Sequence, residues 1–218
     1  MTDRLADLWP PFALRIECGP LVLRALRDED FPEVVEAIHG GVHPPDEMPF
    51  YVPWTDAEGV DLERAFLRYH WSVRAETGPD AWALELGVWH EDRFVGVQAV
   101  RTSDFAITRT GETGSWLALA HQARGIGTLM RQALCVTCFD HLGFTEVTSG
   151  AFRDNPASLG VSRKVGYRED GERRVVRRGQ VAPNVRLVLT PEALVRPPYE
   201  VRVSGAQAFL AMVQARAT

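Results

Sequence analysis

In the segment HQARGIGTLMRQAL, residues 121–134, Gly125 and Gly127 stand where an amphipathic helical pattern begins. Glycine inside a helix costs roughly 1 kcal/mol relative to alanine, so the pair asks for a compensating role. A helix start offers unpaired N–H groups and the positive end of the macrodipole. Where the Cβ is missing, a phosphate can come up against those groups. Arg124 and His121 add cationic or titratable character beside them. The run is not a P-loop, because no G-x-x-x-x-G-K-[ST] occurs. It is not the dinucleotide fingerprint either, because Thr128-Leu129-Met130 supplies no third glycine. Taken alone, the two glycines fit loop flexibility or a tight turn better than a phosphate site.

Other side chains carry possible chemistry. Asn155 precedes Pro156, the arrangement of an N-cap before a first-turn proline. Such a cap uses the carboxamide oxygen and leaves the NH2 donors for another partner. Ser158 falls in that first turn, where its hydroxyl satisfies a backbone group or donates to a ligand. Glu112 reads either as a general base or as an exposed strand-end carboxylate. His43, Asp46 and Glu47 are further bases, carried on VHPPDEMPFYVPW beside Phe50, Tyr51 and Trp54. That loop is the wall of an acceptor site, a structural plug or a subunit contact. Cys135 and Cys138 form a C-x-x-C inside a helical pattern without a second ligand pair, which suits apolar filler better than zinc or redox chemistry. ERRVVRR at 172–178 reads as a solvated strand or hairpin, with phosphate or acidic-protein binding as the minor reading.

The elements that must position these residues follow from periodicity. FALRIECGPLVLRAL predicts two strands around Gly19-Pro20, RDEDFPEVVEAIHGG a helix, and the proline-rich loop no regular structure. DAEGVDLERAFLRYHWSVRAETG predicts a second helix. AWALELGVWH, RFVGVQAVRTSD and ETGSWLALA predict three strands, the first two joined by a tight turn. The glycine loop then opens a helix with Ile126, Leu129, Met130 and Ala133 on one face. EVTSGAF is a strand, NPASLGVSRKVGY a short helix, and YREDGERRVVRRG with NVRLVLT a strand pair. The expected organisation is one α+β domain over residues 1–190, with an extension over 191–218 packed on the domain or on a partner. The net charge of -5 argues against a general nucleic-acid binder. No run approaches a membrane span, and MTDRLADLWPPF is not a signal peptide. With three cysteines, the chain is expected in a reducing cytoplasm.

Read together, these motifs resemble the GNAT superfamily of N-acetyltransferases. Gln122-x-x-Gly125-x-Gly127 is similar to its pyrophosphate loop. Asn155-x-x-Ser158 followed by Lys164-x-Gly166-Tyr167 is similar to its second signature. GPLVLRALRDED and ETGSWLAL resemble the first and fourth strands of the branch that acetylates ribosomal-protein N-termini, with Ser115 in place of the usual aromatic. The proline-rich loop and DFAITR are similar to actinobacterial members of that branch, some of them associated with succinyl donors. The four signatures span residues 20–167.

The resemblance implies a three-layer α/β/α fold with a mixed, mostly antiparallel sheet whose fourth and fifth strands splay. It implies acetyl-CoA or succinyl-CoA as co-substrate, no metal, and direct attack by a primary amine in a ternary complex. The amine belongs to a protein N-terminus, a lysine or a small molecule. The backbone at Leu117 to Leu119 would hold the pantetheine arm. Gln122, Ala123, Arg124, Gly125, Ile126, Gly127 and Thr128 would hold the pyrophosphate, and Asn155 and Ser158 the arm's far end. Glu112 is the first choice of base. The tyrosine acid usual seven residues after the asparagine is replaced by Ser162, so Ser158 or Ser162 donates, or the thiolate leaves unassisted. His43, Asp46, Phe50, Trp54 and Trp116 would line the acceptor site. A donor carboxylate would call for an arginine, with Arg109, Arg101 and Arg153 as candidates. A homodimer or higher homo-oligomer is expected. The alternative is a non-catalytic acyl-CoA-binding module.

Overall fold

The computed structural model describes residues 3–214. Its strands are β1 (Arg15–Cys18), β2 (Leu21–Ala25), β3 (Ala81–His90), β4 (Arg93–Ser103), β5 (Thr110–Leu117), β6 (Glu146–Phe152), β7 (Arg168–Arg177), β8 (Gln180–Leu189) and β9 (Val201–Ser204). Its α-helices are α1 (Arg4–Leu8), α2 (Phe31–His39), α3 (Gly59–Glu76), α4 (Phe105–Thr108), α5 (Ile126–Val136), α6 (Pro156–Val165) and α7 (Ala206–Gln214). The strands form one nine-stranded sheet in the order β7-β8-β6-β5-β4-β3-β2-β1-β9. Every neighbouring pair with a described register is antiparallel except β5 and β6, which run parallel. The N-terminal segment is a hairpin of two strands, so the strand expected as the family's fourth is β5.

Alternation along the strands sends apolar side chains to both faces, and each face gathers its own core. One core joins Ile16, Leu23, Leu84 and Val100 to Met130, Leu134, Leu159 and Phe209, from α5, α6 and α7. The other joins Phe94 and Val97 to Phe31, Val34, Leu62 and Phe66, from α2 and α3. This is the expected three-layer arrangement. Among the described residues no helix is long and apolar enough to cross a membrane.

Three details differ from the sequence-based expectation. The strand expected through Ala120 stops at Leu117, and residues 119–121 form a 3-10 turn. The strand expected to begin at Asn184 begins at Gln180, because β7 pairs with it through Arg177–Gln180. Helix α5 buries nearly all of its length rather than one stripe, packing on β1 and β4 and against α6. In the segment expected as an extension, β9 pairs with β1, and Phe209 is fully buried 5.0 Å from Trp82, ring to ring. Residues 215–218 of that segment lie outside the described residues.

Candidate active site

Strands β5 and β6 pair only from Thr110–Glu146 to Thr113–Ser149. Beyond that point β5 stays with β4 and β6 stays with β8. Gly114 to Leu117 therefore face Gly150 to Phe152 across an opening in the middle of the sheet. The expected splay is this opening. Side chains alternate across it: Thr113, Ser115 and Ser149 lie on the α5 side with Arg131, and Glu112 and Trp116 on the α3 side.

The α5 N-terminus closes the open end. Gly125 has φ +84°, a left-handed conformation that costs a residue with a Cβ roughly 1–2 kcal/mol. Among the described residues, the N–H groups of Ala123, Arg124, Gly125, Ile126 and Gly127 have no hydrogen-bond partner. Free N–H groups at a helix start are able to take an anion. Thr128 differs, because its N–H donates to the Gly125 carbonyl at 3.1 Å. The Gln122 side chain is also spent: Nε2 donates to the carbonyls of Val42 and Leu117 at 2.8 and 2.9 Å, tying this loop to the proline-rich one. The Leu119 N–H donates to the Gly41 carbonyl and the Leu117 carbonyl accepts from Gln122, so both ends of the Leu117 to Leu119 edge are engaged. Beside the loop, His121 has its pKa lowered by desolvation and by Arg124, His90 and Arg93.

Asn155 caps α6 as its sequence context requires, its Oδ1 accepting from the Ser158 N–H at 3.0 Å. The carboxamide Nδ2 makes no hydrogen bond among the described residues. Ser158 is half-buried in the first turn. Ser162 is a different case: it is fully buried and its Oγ donates to the Ser158 carbonyl at 3.0 Å, so its proton is committed within the helix.

On the α3 side, Glu112 is 44% exposed at the edge of the opening, with Arg173 Nη2 at 3.9 Å. His43 has both ring nitrogens engaged, Nδ1 facing the Pro44 carbonyl and Nε2 the Thr55 hydroxyl, both at 2.7 Å. Asp46 and Glu47 are exposed on a turn and make no side-chain hydrogen bond among the described residues. Phe50, Trp54 and Trp116 stack in sequence, with Trp54 centred 5.3 Å from Phe50 and 5.9 Å from Trp116. They form one aromatic wall joining the proline-rich loop to β5.

The three arginines considered for an acyl carboxylate lie elsewhere or are engaged. Arg109 caps α4 just before β5, with its guanidinium 5.0 Å over Phe105. Eight residues of strand, about 26 Å, separate it from the glycine-loop end. Arg153 pairs with Glu169 and Glu172 on the surface. Arg101 donates to the Tyr69 hydroxyl at 2.7 Å and pairs with Glu85.

The arginine at the foot of the opening is Arg131, which the sequence reading passed over. It is 4% exposed. Nε donates to Gln98 Oε1 at 3.2 Å, Nη1 to Ser149 Oγ at 3.4 Å and Thr113 Oγ1 at 3.5 Å, and Nη2 to Ser115 Oγ at 2.7 Å. All four partners are neutral, and no carboxylate pairs with it among the described residues. A buried charge without a counter-charge is costly, so its position is informative. The signal available in the sequence was Ser115: a small hydroxyl stands where an aromatic was expected, and the guanidinium occupies that space. Cys135 and Cys138 are buried, and burial pushes the Cys135 thiol up to about 11, which fits the filler reading and makes neither a nucleophile.

Comparison with known proteins gives the following similarities. Residues 20–168 match the acetyltransferase (GNAT) domain family. The chain is similar to RimJ of Mycobacterium smegmatis, solved in complex with CoA-disulfide, at 20% identity and TM-score 0.65, covering 93% of this chain and 95% of that one. It is similar to RimL, a ribosomal alpha-N-protein acetyltransferase solved with coenzyme A, at 17% identity and TM-score 0.64, covering 81% and 99%. It is also similar to the microcin C7 self-immunity acetyltransferase MccE, solved with acetyl-CoA and AMP, at 16% identity and TM-score 0.62, covering 79% and 93%. At these identities the likeness to the solved structures is one of fold.

Proposed function

The chain belongs to the GNAT acetyltransferase family, and from that premise we propose that it transfers a carboxylate-bearing acyl group, succinyl in the first instance, from a coenzyme A thioester to a primary amine. The free N–H groups of residues 123–127 and the α5 dipole hold the pyrophosphate. The pantetheine arm lies in the opening along Gly114 to Leu117, where it takes the place of the missing strand pairing. Asn155 Nδ2 donates to one of the arm's carbonyls. Glu112 takes a proton from the incoming amine, directly or through one water. The amine then attacks the thioester carbon in the ternary complex.

The observation that carries the donor reading is Arg131. It is buried at the foot of the opening among neutral oxygens, and in this proposal the acyl end of the donor points toward it. An acetyl methyl leaves that charge uncompensated. A terminal carboxylate compensates it through a charge-assisted hydrogen bond, worth about 1.5–3 kcal/mol. The acceptor reading is broader. RimL and MccE, by their names, act on a ribosomal protein and in microcin immunity, so protein and small-molecule amines both belong to the proposal.

Acyl transfer to amines by this chain is tested by mass spectrometry of an N-terminal serine peptide, an N-terminal alanine peptide and spermidine, each incubated with succinyl-CoA and acetyl-CoA. Faster acylation from succinyl-CoA supports the proposal, and equal or greater use of acetyl-CoA removes the donor reading. A second reading, an acyl-CoA-binding module without turnover, is favoured by Ser162 standing at the usual place of the acid. It predicts that both donors bind and no amine is modified.

A further inference from the structure

Tyr51 belongs to the proline-rich loop, yet its hydroxyl reaches the opening between β5 and β6. It donates to Asn184 Oδ1 on β8 and accepts from Arg173 Nη2 on β7 at 2.9 Å. Its ring packs on Phe152 of β6, with centroids 5.4 Å apart. The hydroxyl occupies the space a Cβ on Gly150 would take, so only glycine there admits it. Gly150 is the first β6 residue past the last β5–β6 pair. The phenol is thus held at the point where the sheet splits, on the same face as Glu112. The same Arg173 nitrogen lies 3.9 Å from Glu112.

Asn184 adds an independent observation. It is fully buried, and its Nδ2 has no hydrogen-bond partner among the described residues. An orphaned buried donor is costly, so this one points to an acceptor that binds here or exchanges roles here. A half-turn of the carboxamide directs Nδ2 to the Tyr51 oxygen. Arg173 and Asn184 then both donate to that oxygen, and its proton is free to turn toward the opening.

We propose that Tyr51 is the acid that protonates the departing coenzyme A sulfur, replacing the tyrosine missing at position 162. The inference rests on the acyltransferase reading of the same site. As the amine nitrogen bonds to the thioester carbon, the C–S bond breaks and sulfur keeps its electron pair. The Tyr51 proton passes to sulfur, giving the free thiol. Arg173 stabilises the phenolate left behind. The nitrogen loses its surplus protons, one of which returns to Tyr51 through Glu112 or water, and the net proton goes to solvent. The charged groups facing the phenol are the Arg173 guanidinium and, through it, the Glu112 carboxylate. Ser162, whose hydroxyl is bound to the Ser158 carbonyl, takes no part.

The test is Tyr51→Phe in the full chain, which keeps the ring on Phe152. With succinyl-CoA, acetyl-CoA and the three amines, kcat is expected to fall about 100-fold, while coenzyme A affinity measured by calorimetry is unchanged. A variant that binds coenzyme A and keeps the wild-type kcat overturns Tyr51 as the acid and leaves the acyltransferase reading standing. A wild-type protein that binds coenzyme A and modifies none of the amines overturns that reading, and this inference with it.

Discussion

Arg131 Nη2 donates to Ser115 Oγ at 2.7 Å, joining the buried face of α5 to β5 two residues past its last pair with β6. An aromatic at position 115 and the guanidinium would claim the same volume, so serine there and arginine at 131 are one feature. Because every partner of Arg131 is neutral, a charge is kept at the foot of the opening at a cost to the folded protein.

Arg131→Met removes that charge and keeps much of the side-chain volume. Affinity for succinyl-CoA is expected to fall 10- to 100-fold, roughly the value of one charge-assisted hydrogen bond. Affinity for acetyl-CoA should hold or rise, and the melting temperature should not fall by the amount expected for a broken ion pair. Calorimetry with both thioesters measures the ratio. Equal losses for both would mean that Arg131 braces the strands without reading the acyl group.

Gly127→Ala separates folding from binding. A Cβ there meets Leu117 Cδ1 at 3.5 Å and Val161 Cγ2 at 3.6 Å, ordinary contacts that the fold tolerates. Alanine improves helix propensity by up to about 1 kcal/mol. The variant is expected to melt at the same temperature or higher, yet to bind coenzyme A about tenfold more weakly because the methyl group crowds the phosphate. Undiminished affinity would remove the pyrophosphate from the α5 N-terminus.

Glu112→Gln keeps the shape of an exposed side chain and removes the base. The loss in kcat/KM is expected to reach about 100-fold. The melting temperature should stay within a degree or two, since a 3.9 Å surface pair with Arg173 contributes little. Rates across the pH range decide the matter. A wild-type profile would exclude Glu112 from proton transfer.

His70 sets a pH dependence of stability away from the site. It stacks on Phe66 at 4.4 Å, and desolvation, with a smaller effect of Arg74, lowers its pKa to about 3. The unfolded chain has the ordinary value near 6.5. Between those values the unfolded state binds the extra proton, so stability is full above about pH 6.5 and declines as the pH falls toward 3. His70→Phe should flatten that decline. Urea midpoints at pH 7 and pH 5 measure it, and a slope equal to that of the wild type would show that His70 is not the group responsible.

Local features were legible without the structure because short-range physics sets them. Asn155-Pro156 caps α6 through the Asn155 side chain, and Gly166 ends that helix at φ +107°. The two-residue turn Glu91-Asp92 takes positive φ at both positions, as a tight hairpin between β3 and β4 requires. The glycine loop could be read because the groups it leaves free are consecutive backbone N–H groups. Their availability depends on the bend at Gly125 and not on a distant partner.

The rest had no local signal. Arg131 looks like one polar residue in a helical pattern. Its burial follows from α5 packing between the sheet and α6, and its partners come from three strands. Tyr51, Gly150, Arg173 and Asn184 are brought together by loop path and sheet register over separations as large as 133 residues. His43 is engaged closer by, through Pro44 and Thr55, but which partners its ring nitrogens meet depends on the path of an irregular loop that periodicity does not specify. The sequence by itself determined the elements, the family and the glycine turn that opens α5, because periodicity, capping and turn chemistry act over a few residues. Only the tertiary structure decided which charge lies at the foot of the opening and which hydroxyl stands at its mouth, because non-local packing alone brings those side chains within bonding distance.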